Sequence, residues 1–517
     1  MSAAATVNPA ATKTGTPYDS LKVLLRENAV LESASRVLAY DQETVMPEQG
    51  SGLRAQQLEA MSALVHERKT SKWLGDLLSA CEADGATVAD PVAKANLAEL
   101  RRDYDRATKL PTDLVSEIAK TSSLGMHAWK DARAKSDFSL FLPWITKTLE
   151  LYRRKAECYV GGKVPAGGEL YDALLDEYEP GMTAARTRAI FGPFRERLVP
   201  LIDRVARSKA PDESLARLEF PVEKQVAFCT MVAKAIGFDY EAGRMDVSTH
   251  PFCDGIGPGD TRMTNRYRAD GWADSLSTAM HEGGHALYEQ GLPKADCFGQ
   301  PLAEAISLGI HESQSRLWEN LVGRSRSFWT WGAGQVASML GGGLAGASPD
   351  AIYKAVNIVR PNLIRVESDE LTYNLHIMLR FDLERAMLAG DLNPKDLPGE
   401  WNKRVKADLG LTVPDDRRGC LQDVHWSMGL IGYFPTYTFG NLYSAQFWEA
   451  VQRDIPDRDA KMSRGEFAPI LSWLRTNIHV HGRRYGAEEL CQKVTGKALS
   501  HDPLLRHLEA KVNAVYA

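Results

Sequence analysis

The chain has 517 residues, 44% of them hydrophobic and 25% charged, which is ordinary for a soluble globular protein of one to three domains. A net charge of −5 is mild at this length and predicts no nucleic-acid partner and no anionic membrane surface. No run of 18 apolar residues occurs, so no membrane-spanning helix is expected.

The first stretch, MSAAATVNPAATKTG, has no apolar core of a signal peptide and no arginines of a transit peptide. Small and polar residues there bury little, so residues 1–16 read as a flexible tail. The remainder, 17–517, reads as a single helical domain, because no composition shift marks a linker and no repeat is visible. Leu21, Leu24, Leu31 and Leu38 recur at helical spacing before Tyr40. After a break at MPEQGSG, Leu53, Leu58, Met61 and Leu64 repeat the pattern, which predicts two amphipathic helices. Similar periodicity runs through 91–160, 183–208, 303–323, 350–358, 367–388 and 464–478. Residues 242–268 break it. Polar and apolar residues mix there, glycines punctuate, and a short hairpin or small sheet is expected. The glycine cluster 341–346 reads as a loop before Ser348-Pro349-Asp350, a helix N-cap with proline in the first turn. Neither this cluster nor VTGKA at 494–498 has the spacing of a phosphate-binding loop. Seven scattered cysteines without a CxxC pair suit reduced thiols in a cytosol.

The chemistry concentrates in His281-Glu282-Gly283-Gly284-His285. Four residues apart on a helix, two histidines share one face and can hold one metal ion. Glu282 lies beside them, placed to take a proton from a water that the ion acidifies. Asp274 and Ser275 read as helix caps, and Gly291 with Pro293 as a stop signal. The two glycines cost roughly 1 kcal/mol each relative to alanine, and they allow another segment to approach closely. A pair of unrelated surface histidines is the competing reading. A catalytic zinc needs a third protein ligand, and Glu289, Glu304, Glu312 and Glu319 follow within reach. Glu289 sits four residues on, better placed to orient a ligand than to bind. The other three fall in LAEAISLGIHESQSRLWEN, and spacing favours Glu312 only slightly.

Six short motifs occur in order: His250-Pro251-Phe252, Asp260-Thr261-Arg262-Met263-Thr264, HEGGH, His311-Glu312-Ser313-Gln314, IRVESD at 364–369 and GCLQDVHW at 419–426. With YDQETVMP and RAQQL near the start and WLRTNIHVHGRRY near the end, the chain from about residue 18 onward resembles the Taq-type zinc metallocarboxypeptidases. One position departs: Ser368 stands where that family usually has alanine, a small-for-small change that leaves Arg365 and Asp369 in place.

The resemblance implies a mainly α fold with a long deep groove, similar to neurolysin and angiotensin-converting enzyme, with a small β-hairpin or sheet near the active site. It implies one Zn2+ per subunit on His281, His285 and Glu312, replaceable by Co2+, and Glu282 as general base and later proton donor. It implies a cytoplasmic homodimer that removes single amino acids, with broad specificity, from peptides with a free C-terminal carboxylate. A guanidinium suits that carboxylate through paired hydrogen bonds. Arg365 is the first choice and Arg262 the second; a pairing of Arg365 with Glu367 or Asp369, and of Arg262 with Asp260, is the competing reading. His425, Tyr433 and Tyr437 follow the metal motif, and His425 and Tyr433 are expected to hold the developing oxyanion. Asp423 is expected to orient His425 or a metal-binding histidine. His250, before proline and so biased toward extended backbone, is expected to line the groove at a strand edge. His311 is left either supporting the site or packed in the core.

Overall fold

The computed structural model describes residues 15–516. The predicted tail therefore lies outside the described residues, except for Gly15 and Thr16. Thr16 already belongs to the fold: its side chain accepts from the Asp19 amide, and Asp19 answers by accepting from the Thr16 amide, a capping box. Helix α1 (Pro17–Thr44) starts there and buries Leu21, Leu24 and Leu25. Helix α2 (Ser51–Lys69) packs back along α1 and has no buried residue. Leu53 is 63% and Leu64 40% exposed. Polar links carry the α1–α2 pairing: Arg54 Nη2 meets Asp41 at 2.7 Å, and Arg68 donates to Asn28 at 2.6 Å.

The architecture is mainly helical, with one small sheet where helical periodicity stops. Strands β1 (Gly243–Val247), β2 (Cys253–Gly257) and β3 (Asp260–Asn265) stand in the order β1-β3-β2. β3 is central, parallel to β1 and antiparallel to β2, with an irregularity between Gly255 and Gly257. Asn265 at its end donates to the Ser275 carbonyl at 3.0 Å, tying the sheet to helix α3 (Trp272–Gly291).

α3 begins earlier than its sequence suggests. Gly271 precedes it without a side-chain cap, Asp274 sits in the first turn, and Ser275 is buried with its hydroxyl on the Gly271 carbonyl. The expected cap at Asp274 or Ser275 is thus corrected: Ser275 is spent inside the helix. The end at Gly291 is as read. The periodic stretch 303–323 is not one helix either. After a short turn at Pro301–Ala303, helix α4 (Leu308–Arg316) is capped by Ser307, and a π-helical segment follows at Leu317–Gly323. Helices α5 (Tyr373–Ala389) and α6 (Pro435–Asp454) complete the surroundings of the site. Ser348 caps the helix that starts at Pro349.

Most buried side chains form one cluster, from Leu114 to Val515, that includes Met280, Leu287, Ile310 and Phe439. A second, smaller cluster joins α1 to its neighbours through Leu21, Leu24, Leu74, Leu78, Leu97 and Leu100. All seven cysteines are free thiols.

Candidate metal centre and active site

The two glycines of HEGGH have different surroundings. A Cβ on Gly284 would stand 2.5 Å from the Gln314 carbonyl oxygen and 2.6 Å from Ser315 Cα, both backbone atoms of α4. On Gly283 it would meet only the tip of Ile236, at 3.3 Å. Gly284 therefore sets how closely α4 crosses α3. On the other side of α4, a Cβ on Gly440 of α6 would stand 2.6 Å from Glu312 Cβ. The helix cost of these glycines is offset by an approach that no larger residue permits.

That approach brings Glu312 onto the histidines. Its Oε2 lies 3.4 Å from His285 Nε2 and 3.7 Å from His281 Nε2. One atom from each of the three residues falls within 4.8 Å of the others. Two imidazole nitrogens and one carboxylate oxygen are the donor set of a catalytic zinc site with an open position.

Both rings are held from behind. His281 Nδ1 lies 2.9 Å from Glu319 Oε2, and Ser277 donates to the other Glu319 oxygen at 2.8 Å. His285 Nδ1 lies 2.5 Å from His311 Nδ1, His311 Nε2 lies 2.8 Å from Glu289, and Glu289 pairs with Lys294. Each histidine thus turns Nε2 toward Glu312, as outer partners of metal-binding histidines ordinarily arrange. Glu304 faces elsewhere, against Arg483 at 3.7 Å.

Charge follows the same geometry. Burial alone would raise the Glu312 carboxyl, but Arg316 and the two histidines hold it well below the usual range. Burial lowers His285 to about 3, helped by the neighbouring His311. Burial also works against charging His281, yet Glu312 and Glu319 outweigh it and raise its pKa. Glu282 is pushed up to about 7, chiefly by burial, with the Glu312 charge adding to it.

A second cluster meets the triad's surroundings at Tyr373, whose ring lies under Arg316. Arg365, 5% exposed, donates from Nε to Asp423 Oδ1 at 3.0 Å and from Nη1 to the Tyr373 hydroxyl at 2.9 Å. Arg380 of α5 donates to Asp423 Oδ2 at 2.7 Å. Asp423 therefore serves two buried guanidinium groups and makes no hydrogen bond to a histidine among the described residues, which corrects the expectation for it. Two buried cations need a counter-charge more than a neutral imidazole does. The partner of Arg365 is Asp423 rather than Glu367 or Asp369. His425 Nε2 lies 3.3 Å from the Tyr437 hydroxyl, and its ring rests on Phe434 at 4.4 Å. Its Nδ1 is buried without a hydrogen-bond partner among the described residues. The Tyr433 ring sits 5.4 Å from both His425 and Tyr437. Burial raises the hydroxyls of Tyr433 and Tyr437, and Glu312 adds to both shifts.

Two residues expected on the substrate side, Arg262 as second-choice carboxylate anchor and His250 in the groove, are not brought to the triad by any described hydrogen bond or ion pair. Arg262 is paired in-strand with Asp260 at 2.7 Å and lies over the Tyr40 ring. His250 is exposed in the bend between β1 and β2, so the strand-edge expectation is corrected: β1 ends at Val247 and β2 starts at Cys253. Ser248 holds that bend by donating to the His250 carbonyl at 2.9 Å.

Sequence reasoning missed Arg316, Tyr373 and Arg380, and weighed Glu319 only as a ligand. Local spacing did carry a signal for two of these. Glu312, Arg316 and Glu319 are four and three apart, the spacing of side chains that meet on a helix.

The sequence profile described as Carboxypeptidase Taq (M32) metallopeptidase matches residues 20–512. The chain belongs to this family. It is 44% identical to thermostable carboxypeptidase 1 of Thermus thermophilus over 96% of this chain and 99% of that protein. It is 37% identical to the protein of the same name from Pyrococcus furiosus, over 92% and 95%. The solved M32 carboxypeptidase of Deinococcus radiodurans superposes with a TM-score of 0.93 at 38% identity, over 97% of this chain and 99% of that one. This M32 chain is accordingly a metallocarboxypeptidase that acts on peptides, and its family requires a metal ion. No helix among the described residues is long and apolar enough to cross a membrane.

Proposed function

We propose that this M32 enzyme is a zinc carboxypeptidase that releases single C-terminal amino acids with broad specificity, from a cytoplasmic homodimer. The observation that carries the reading is the convergence of His281 Nε2, His285 Nε2 and Glu312 Oε2, with both Nδ1 atoms engaged from behind. Those three residues would hold one Zn2+, or Co2+ in its place; the ion supplies Lewis acidity to the scissile carbonyl and lowers the pKa of the attacking water.

The remaining work falls to the chain. Glu282 takes the proton of that water at its carboxylate and returns it to the departing amine. A carboxyl held near 7 by burial suits both transfers. Tyr433 and His425 face the developing oxyanion, and Tyr437 holds His425 by its Nε2. Arg365 anchors the terminal carboxylate. It is favoured over Arg262 because Tyr373 and Tyr437 connect it to the triad side, whereas Arg262 is spent on Asp260. Asp423 acts on substrate through Arg365, and His250 lines the outer groove. The reading extends to one catalytic unit over residues 17–517, with a long deep groove.

Metal analysis together with mass spectrometry of a peptide ladder tests the proposal. Stoichiometric zinc and stepwise loss from the C-terminus are expected. Equal cleavage of a peptide and its C-terminal amide would instead identify an endopeptidase on the same scaffold. A protein without metal that gains no activity with zinc or cobalt would be a binding protein only.

A further inference from the structure

Arg316 lies between the two carboxylates of the metal centre. Its Nε donates to Glu312 Oε1 at 2.7 Å, and its Nη1 donates to Glu319 Oε2 at 3.2 Å. That Glu319 oxygen is the one in contact with His281 Nδ1. The guanidinium also rests on the Tyr373 ring, 4.7 Å from its centre. Glu312 therefore has Oε1 engaged by the charged Arg316, while Oε2 is turned to both histidines and accepts only a neutral hydroxyl bond, from Ser315 at 3.1 Å.

We propose that Arg316 is a positioning residue that makes Glu312 a one-oxygen metal ligand and, through Glu319, fixes the ring of His281. This rests on the metal-site reading above. A free carboxylate can offer a cation one oxygen or two. A charge-assisted N–H on Oε1 takes one of its lone-pair sites and draws electron density from it, which favours Oε2 as the donor and preserves an open coordination position for water and substrate. The charge matters as well. Two carboxylates held side by side in a buried place repel each other, and a fixed cation between them offsets that repulsion. The planar fork reaches both carboxylates at once, which a single ammonium does not reproduce.

The test uses the full-length protein and the variants Arg316→Gln, Arg316→Lys, Glu319→Gln and Glu312→Gln. Zinc affinity is read by competition with a chromophoric chelator, and coordination by the visible d–d bands of the cobalt-loaded protein. Thermal unfolding of the metal-free forms separates lost folding from lost binding. Arg316→Gln is expected to weaken zinc binding roughly 10- to 100-fold, the range for outer partners of metal ligands. Its cobalt bands are expected to weaken, as they do when the coordination number rises. Arg316→Lys should recover only part of both properties. If Arg316→Gln does not fold, Arg316→Lys and Glu319→Gln carry the same readings. Wild-type zinc affinity and an unchanged cobalt spectrum in the folded Arg316 variants would overturn the inference. Loss of metal in Glu312→Gln beside normal binding in Arg316→Gln would sink this proposal alone. Retention of metal in Glu312→Gln would sink the metal-site reading beneath it.

Discussion

Gly440 of α6 lies directly against Glu312 of α4, and a Cβ at position 440 would stand 2.6 Å from Glu312 Cβ. Gly284 of α3 contacts the same helix from the other side. Helix α4 thus runs between two glycine faces, and the position of the triad carboxylate depends on both. Gly440→Ala and Gly284→Ala are expected to lose roughly 1–3 kcal/mol, the usual cost of overpacking, and to bind zinc more weakly. Gly283→Ala, which meets only Ile236, should be neutral or gain up to about 1 kcal/mol from helix propensity. Urea unfolding with zinc titration checks this. Equal tolerance at 283 and 284 would refute the close-approach account.

Glu282→Gln removes the proton acceptor and leaves all three triad residues in place. Metal content should stay at the wild-type level while kcat falls by about 10²- to 10⁴-fold, the range for a general acid–base. Turnover close to wild type would take Glu282 out of that role.

Arg365→Ala tests the carboxylate anchor. KM for free-acid peptides should rise more than KM for the corresponding amides, so the preference between them narrows. Because Arg365 also neutralises Asp423, stability should fall as well; the ratio of the two substrates isolates the anchoring effect. An unchanged ratio would contradict it.

Glu179 gives a pH prediction. It is fully buried beside the start of α4, accepts from the Gly309 amide at 3.0 Å, and burial raises its pKa to about 7. Unfolded, an ordinary Glu titrates near 4.3. Between those values the folded chain keeps a proton that the unfolded chain has released, so this group's contribution to stability falls as pH rises through the window. Glu179→Gln cannot ionise. Its stability relative to wild type should improve by roughly 1–3 kcal/mol from pH 5 to pH 8. Denaturant titrations at the two pH values check this, and parallel pH dependences in both proteins would reject it.

Helical character is legible in α1 and α2 because leucines recur at the right spacing. The exposure of α2 is not, because periodicity reports which face is apolar and says nothing of what covers it. The histidine pair is legible for the same local reason: four residues make one turn. The third member of the triad depends on how α3 and α4 cross, and Gly284 and Gly440 set that crossing over long separations. Arg365 meets Asp423 across 58 residues of sequence, and no local pattern announces such a pair. The small sheet was legible as a loss of helical period, but its order, with β3 between β1 and β2, was not.

The π-helical segment Leu317–Gly323 has a practical consequence for anyone seeking a hardier enzyme. Its wider turn carries Glu319 to His281 and lets Arg324 reach Ser277 at 2.9 Å. Redesign toward an ideal α-helix would raise local helix stability and rotate Glu319 away from the ring it holds. Heat tolerance and turnover would then move in opposite directions. Stabilising substitutions are better spent on α2, which has no buried residue and packs chiefly along α1 among the described residues.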